Sequence, residues 1–126
     1  MPIASLVEAT TGGWPAVRAE ADLSVVYKHS PICGVSSSAR GEVATFADAN
    51  PDVPVWQVDV VRQRELSRRV AAELGTPHAS PQVILLCRGR AVWTASHFAI
   101  TRRALEGAVA AAVSLCSTLE PARQTA

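Results

Sequence analysis

Residues 23–36, with the sequence LSVVYKHSPICGVS, decide the fold. The first half, residues 23–27, is rich in β-branched and aromatic side chains and predicts a buried strand. That strand is predicted to stop at residues 28–31 (KHSP). From Cys33 onwards the pattern changes, because residues 36–49 suit a helix that Asn50 and Pro51 end. A cysteine therefore stands where a buried strand gives way to a helix.

The rest of the chain continues this alternation of strands and helices. Apolar residues spaced by four predict an amphipathic helix that ends at Gly75. Two short apolar runs separated by residues 88–90 predict a hairpin. The other predicted elements are a short helix at residues 14–20, a strand at 53–60, the amphipathic helix at 65–74, the hairpin strands at 83–87 and 91–95, and a last helix at 101–114.

The order of these elements predicts an α/β fold. Two strands joined by a helix are expected to be parallel with a right-handed crossover, whereas the hairpin strands are antiparallel. The result is a four-stranded mixed sheet flanked by helices, with an N-terminal extension, which is the element order of the thioredoxin fold. We expect a single domain over residues 1–126, with its core at about residues 23–116 and a flexible polar tail at residues 117–126.

The composition excludes several classes of function. The chain has 126 residues, of which 48% are apolar and 18% charged, and its net charge is +1. A nucleic-acid partner is disfavoured because no large field of one sign is expected. The first residues lack the pattern of a secretory signal, and the alanine-rich run at residues 104–115 is too short to span a membrane. We expect a cytoplasmic protein with no membrane partner.

The three cysteines are Cys33, Cys87 and Cys116. An odd and sparse set argues against a fold held by disulfides and indicates a reducing compartment. Cys87 ends a predicted strand and Cys116 ends the last predicted helix, so each is predicted to lie roughly 20 Å from Cys33. Neither can then bond to Cys33, and both are predicted to be structural.

Cys33 is predicted to carry the chemistry. Unbonded N–H groups and the dipole at the start of a helix favour a thiolate, which lowers the pKa of a cysteine there. Lys28 and His29 could add positive charge, and Ser36, one turn further on, could point its hydroxyl group at the sulfur. A lone cysteine after a strand is more often a small core residue, and only the order of the fold reverses that expectation. The C-x-x-S motif supplies a nucleophile without a neighbouring resolving thiol.

Two further features are predicted to meet Cys33 at one edge of the sheet. Pro81 opens the third strand, where thioredoxin-like proteins keep a cis proline, and the backbone of Ser80 could then pair with an extended substrate. Since only about 5–6% of X-Pro bonds are cis, this prediction rests on the fold. His29, His78 and His97 each fall at this edge, where they could hold the carboxylates of a small thiol or shift the pKa of the cysteine. Their spacing matches no standard zinc site, so no metal is predicted.

Several motifs together resemble the monothiol bacilliredoxin family of the YtxJ type, within the thioredoxin-like superfamily. They are Tyr27-Lys28-His29-Ser30, Cys33-x-x-Ser36, Val58-Asp59-Val60, Arg64-x-Leu66-Ser67, His78-Ala79-Ser80-Pro81-Gln82-Val83, and Ala95-Ser96-His97 before Ile100-Thr101. Gly34 stands where family members commonly have proline. The C-G-V-S sequence also approaches the C-G-F-S of monothiol glutaredoxins, which bridge an iron–sulfur cluster with glutathione. The T-V-P and G-G-x-D signatures of those glutaredoxins are absent.

The resemblance implies a thiol-disulfide oxidoreductase that removes bacillithiol, a low-molecular-weight thiol, from mixed disulfides on proteins. Cys33 would be the nucleophile, assisted by Ser36, and the small thiol would be a co-substrate, with no bound cofactor. The expected partners are S-thiolated proteins, and the expected state is a monomer or weak dimer. The predicted substrate-binding residues are Lys28, His29, Gly34, His78, Ser80, Pro81 and His97. The alternatives are an iron–sulfur cluster carrier and a non-catalytic binding module.

Overall fold

A computed structural model describes residues 6–8, 10, 12–19, 21–31 and 34–118. Cys33 lies outside the described residues, as do residues 119–126 of the predicted tail. None of the helices in the described part of the chain is long and apolar enough to cross a lipid bilayer.

The helices and strands follow the predicted order, with two additions, the strand β1 and a short 3₁₀ helix. The strand β1 belongs to the predicted N-terminal extension, and the last helix runs four residues beyond the predicted Ser114. The elements are β1 (Leu6–Glu8), α1 (Trp14–Ala19), β2 (Leu23–His29), α2 (Gly34–Ala49), β3 (Val55–Asp59), α3 (Arg64–Leu74), β4 (Gln82–Cys87), β5 (Arg90–Ser96), a short 3₁₀ helix (His97–Ala99) and α4 (Arg102–Thr118).

The sheet is mixed and has the order β1-β3-β2-β4-β5. β2 is parallel to β3 and antiparallel to β4, and β5 is antiparallel to β4, as the sequence predicts. β1 adds a fifth, parallel strand beside β3. The turn between β4 and β5 has positive φ at Arg88 (51°) and Gly89 (82°), a backbone that matches the twist of a tight hairpin. The four predicted strands are confirmed.

Helices cover both faces of the sheet. Tyr27 and Phe46 lie in a core that the sheet shares with α2 and α4. Trp14 and Leu66 lie in a second core, on the side of α1 and α3. Alternate residues of a strand point to opposite faces, so β2 sends Tyr27 towards α2 and Lys28 towards α3. Side chains at the end of β2 therefore lie on two sides of the sheet, one facing α2 and the other facing α3.

Two of the three cysteines are bonded to each other. Cys87, at the end of β4, forms a disulfide with Cys116 in the last turns of α4, and their Cα atoms are 5.3 Å apart. The sequence predicts a fold that is not held by disulfides, and this bond corrects that expectation, whereas the structural role predicted for Cys87 and Cys116 agrees with it. The sequence places each of these cysteines far from the edge that carries Cys33. In the structure, the last residue of β4 and the last turns of α4 meet at the opposite end of β4. Cys33 is the one cysteine of the three that this bond leaves over.

Candidate functional site

The predicted site residues surround the edge at which β2 and β5 end and β4 begins. His29 is the last residue of β2, and β4 begins directly after Pro81. α2 begins at Gly34, the residue that follows Cys33 in the sequence. The described site residues are thus brought to one edge, as predicted.

Tyr27 links β2 to the first turn of α2. Its hydroxyl group, which is buried, donates to the carbonyl oxygen of Ser36 at 3.0 Å and lies 2.8 Å from Nδ1 of His29. A phenol has one proton to donate, so the Nδ1–H group of His29 donates to Tyr27 when Tyr27 donates to Ser36. The Nε2 atom of a neutral His29 is then an acceptor. Burial, reinforced by the charge of Arg40, lowers the pKa of His29 below its usual 6.5, while the charge of Asp59 opposes this shift.

Ser36 is completely buried, and its hydroxyl oxygen accepts the N–H group of Ser30 at 3.2 Å. This contact ties the first turn of α2 to the residue that follows β2. The interaction of the Ser36 hydroxyl group with the sulfur of Cys33 stays a prediction.

Lys28 is also completely buried, on the α3 side of the sheet. Its Nζ donates to the carbonyl oxygen of Ser67 at 2.9 Å and lies 3.2 Å from Nδ1 of His78. Burial lowers the pKa of Lys28 to about 8. A side chain with no exposed surface does not contact a substrate in solution, so the predicted substrate-binding role of Lys28 does not fit this structure.

The loop before β4 carries the predicted cis proline. The Ser80–Pro81 peptide bond is cis, which confirms that prediction. The side-chain amide of Gln82 donates to the carbonyl oxygen of Pro77 at 3.0 Å. The backbone N–H group of His97 donates to the carbonyl oxygen of Pro81 at 3.1 Å. The buried hydroxyl group of Ser80 makes no hydrogen bond within the described part of the chain. We name residues 76–80 the docking loop.

The three histidines lie at this edge with different neighbours. His29 lies on the α2 side with Tyr27, and His78 lies on the α3 side with Lys28. His97 begins the 3₁₀ helix and lines, with Phe98 and the first turns of α2, a shallow cavity of about 180 Å³. Phe98 is 79% exposed beside this cavity. Within the described stretches, no group of three or more His, Cys, Asp or Glu side chains is placed to hold a metal ion.

A comparison with family models decides the family. The chain matches the model of monothiol bacilliredoxin BrxC over residues 10–105. The protein belongs to the monothiol bacilliredoxin family. This membership confirms the resemblance that the motifs predict and makes the protein a thiol oxidoreductase.

Solved structures of other proteins have the same fold. A structure described as a candidate oxidoreductase with a thioredoxin fold is 25% identical, with a TM-score of 0.78 over 84% of this chain and 95% of the other. Mitochondrial thioredoxin 3 of Saccharomyces cerevisiae is 17% identical, with a TM-score of 0.70 over 86% of this chain and 97% of that one. Thioredoxin of Plasmodium falciparum is 13% identical, with a TM-score of 0.68 over 84% and 96%. The thioredoxin-like fold is therefore shown.

The sequence alone does not indicate the roles of three residues of the site. Tyr27 contacts His29, and Ser67 accepts a hydrogen bond from Lys28 through its carbonyl oxygen. Gln82 donates a hydrogen bond to the docking loop. One signal for Ser67 was available, because it lies between Leu66 and Val70 on the apolar face of its helix. A polar residue on such a face needs a hydrogen-bonding partner.

The burial of Lys28 predicts a specific dependence of stability on pH. Lys28 has a pKa of about 8 in the folded protein and an ordinary value of 10.5. Between these values the unfolded chain binds more protons than the folded chain, so the free energy of unfolding rises with pH. As the pH is raised through this window, we expect the free energy of unfolding of wild type to rise by up to about 3 kcal/mol relative to that of Lys28→Met.

Urea unfolding at several pH values from 7 to 10.5 measures this difference. Both proteins carry Cys33→Ser, so that the thiol of Cys33 cannot attack the disulfide at high pH. Parallel curves of stability against pH would show that Lys28 titrates normally.

Proposed function

We propose that this protein removes bacillithiol from mixed disulfides on proteins, with Cys33 as the nucleophile. The observation that carries the proposal is the position of Cys33 in the sequence. It is the cysteine left over by the Cys87–Cys116 bond, and it directly precedes the first residue of α2. Amide groups at the start of a 16-residue helix favour the thiolate that attacks disulfides.

The proposed reaction has two exchange steps. The Cys33 thiolate attacks the sulfur of the bound small thiol, a new disulfide forms between Cys33 and that thiol, and the protein thiolate leaves and takes a proton from water. A second low-molecular-weight thiol, as its thiolate, then attacks this disulfide and releases Cys33 with formation of a small symmetrical disulfide. The electrons thus come from the second thiol.

The docking loop supports the recognition of extended protein substrates. The cis Pro81 follows Ser80, whose backbone we propose pairs with the peptide around the modified cysteine. His29, His97 and Gly34 lie at the same edge, and we propose that they contact the small thiol. His78 is argued separately below.

Incubation of the protein with oxidised bacillithiol, followed by mass spectrometry of peptides, tests the proposal. We expect one bacillithiol adduct, on the peptide containing Cys33, and its removal by added bacillithiol. A bacillithiolated peptide with a single cysteine should be reduced in the same assay. Absence of an adduct, or an adduct on Cys116, would contradict the proposal.

The same preparation separates the alternative functions. An iron–sulfur carrier would acquire visible absorbance on anaerobic reconstitution with iron and sulfide, and Cys33→Ser would abolish it. A non-catalytic module would show a Cys33 pKa near that of free cysteine and slow alkylation. We propose a cytoplasmic site of action and a monomer or weak dimer, which sedimentation of the purified protein can measure.

A further inference from the structure

The chain contains a single lysine among its twelve lysine and arginine residues. That lysine, Lys28, is completely buried. Arginine keeps its charge under all protein conditions and needs partners for five N–H groups, whereas lysine offers three donors from one compact atom and tolerates burial by a change of pKa. The position therefore suits lysine for a chemical reason.

The surroundings of Lys28 define what its ammonium group does. Lys28 is the register partner of Gln82 across β2 and β4, and its side chain extends towards α3. There it donates to the carbonyl oxygen of Ser67 at 2.9 Å and meets Nδ1 of His78 at 3.2 Å. Its contacts thus join the sheet, α3 and the docking loop.

The ammonium group selects one tautomer of His78. An ammonium group only donates hydrogen bonds, so the Nδ1 atom that it meets must be unprotonated. The proton of neutral His78 then lies on Nε2. The hydroxyl group of Ser67 lies 3.4 Å from the same Nδ1 atom, and it too can donate there. Burial and the charge of Lys28 lower the pKa of His78 below its usual 6.5, in the same sense.

Lys28 and Gln82 together hold two consecutive residues of the docking loop. Gln82 donates to the carbonyl oxygen of Pro77 at 3.0 Å, and Lys28 holds the ring of His78. Ser80, two residues after His78, is the residue that precedes the cis proline. A register pair of the sheet therefore fixes the loop just ahead of the segment to which we assign substrate binding.

We propose that Lys28 is a positioning residue, which holds His78 in the Nε2–H tautomer and thereby fixes the docking loop for the incoming mixed disulfide. The proposal deepens the function proposed above and rests on it for the identity of the substrate. Protonation of His78 would place a second donor against Lys28, so the contact should break as the pH falls below the pKa of His78.

Nuclear magnetic resonance of the histidine rings tests the placement without any activity assay. In wild type we expect the long-range ¹⁵N spectrum to show His78 with Nδ1 unprotonated and Nε2 protonated at neutral pH. In Lys28→Met we expect a mixture of tautomers and a His78 pKa that moves up towards 6.5. Arg68→Met, which removes an exposed cation next to Ser67 on α3, is the control and should leave both unchanged.

Two results would overturn the proposal. One is a wild-type His78 that carries its proton on Nδ1, which decides the matter even if Lys28→Met fails to fold. The other is a Lys28→Met protein with the wild-type tautomer and pKa of His78.

Steady-state kinetics with a bacillithiolated peptide tests the consequence for substrate. We expect Lys28→Met to raise KM about tenfold, as the loss of one hydrogen bond from a charged group would do, with kcat and the rate of Cys33 alkylation little changed. An unchanged KM would refute the positioning role. If wild type shows the expected tautomer but no adduct forms on Cys33, the proposed function fails and the placement of His78 stands.

Discussion

Replacement of Cys33 by serine is expected to lower the rate of bacillithiol removal about a thousandfold or more. A serine hydroxyl group stays protonated at neutral pH and has no neighbouring cysteine to substitute for it, so the first exchange step has no nucleophile. Release of a peptide thiol from a bacillithiolated peptide, followed by mass spectrometry, measures the loss. The variant should retain the far-ultraviolet circular dichroism and thermal midpoint of wild type.

The matched control is removal of the other two cysteines. Cys87 and Cys116 are bonded to each other at the opposite end of β4 from the docking loop, so the double variant Cys87→Ala/Cys116→Ala should exchange bacillithiol at the wild-type rate at a temperature where it is folded. Activity that survives in Cys33→Ser and disappears in the double variant would assign the chemistry to Cys87 and Cys116 and contradict the proposal.

Most of the fold could be predicted because each element carries a local signal. The run at residues 23–27 is too apolar to be anything but buried, and Gly75, with φ of 60°, ends α3 where the sequence places a helix stop. β1 was missed because three residues, Leu6–Glu8, are too few for a periodic pattern. Its pairing with β3 depends on contacts that are distant in sequence.

The site was harder to predict because burial of polar groups is a tertiary property. A lysine at the end of a strand suggests an exposed cation, and nothing in residues 28–31 indicates that α3 covers it. The contacts that bury Lys28 come from Ser67 and His78, which lie 39 and 50 residues away in the sequence. The three histidines were correctly placed at one edge, but the alternation of side chains along β2 separates His29 from His78.

The disulfide joins two cysteines whose distance from each other the sequence does not predict. Cys87 and Cys116 were each placed far from Cys33 by strand and helix lengths. Whether they can bond depends on the distance between Cys87 and Cys116 themselves. In the structure both lie beside Asp22, which precedes β2. The carbonyl oxygen of Asp22 is 3.1 Å from Sγ of Cys116 and accepts the N–H group of Arg88 at 2.7 Å. The bond therefore joins α4 to the sheet at a point already fixed by the backbone.

Reduction of this bond is expected to lower the free energy of unfolding by about 3–4 kcal/mol, since it opens a loop with a sequence separation of 29 residues in the unfolded chain. For a domain of this size the thermal midpoint should fall by about 10 °C. Because Cys87 is completely buried and Cys116 is 4% exposed, the folded protein should resist a mild reductant until it is heated. Calorimetry of oxidised and reduced wild type isolates the cross-link without any change of side chain.

Cys33→Ser is the control for this experiment, because it removes a cysteine that is not part of the bond and should keep the oxidised midpoint. Thiol titration of the unfolded, unreduced protein should find one free thiol in wild type and none in Cys33→Ser. Three thiols in wild type, with a midpoint that reductant does not change, would show that Cys87 and Cys116 pack as separate thiols. The attachment of α4 to the sheet would then depend on apolar burial alone, through Leu105 and Ala112, which lie in the core on that side of the sheet.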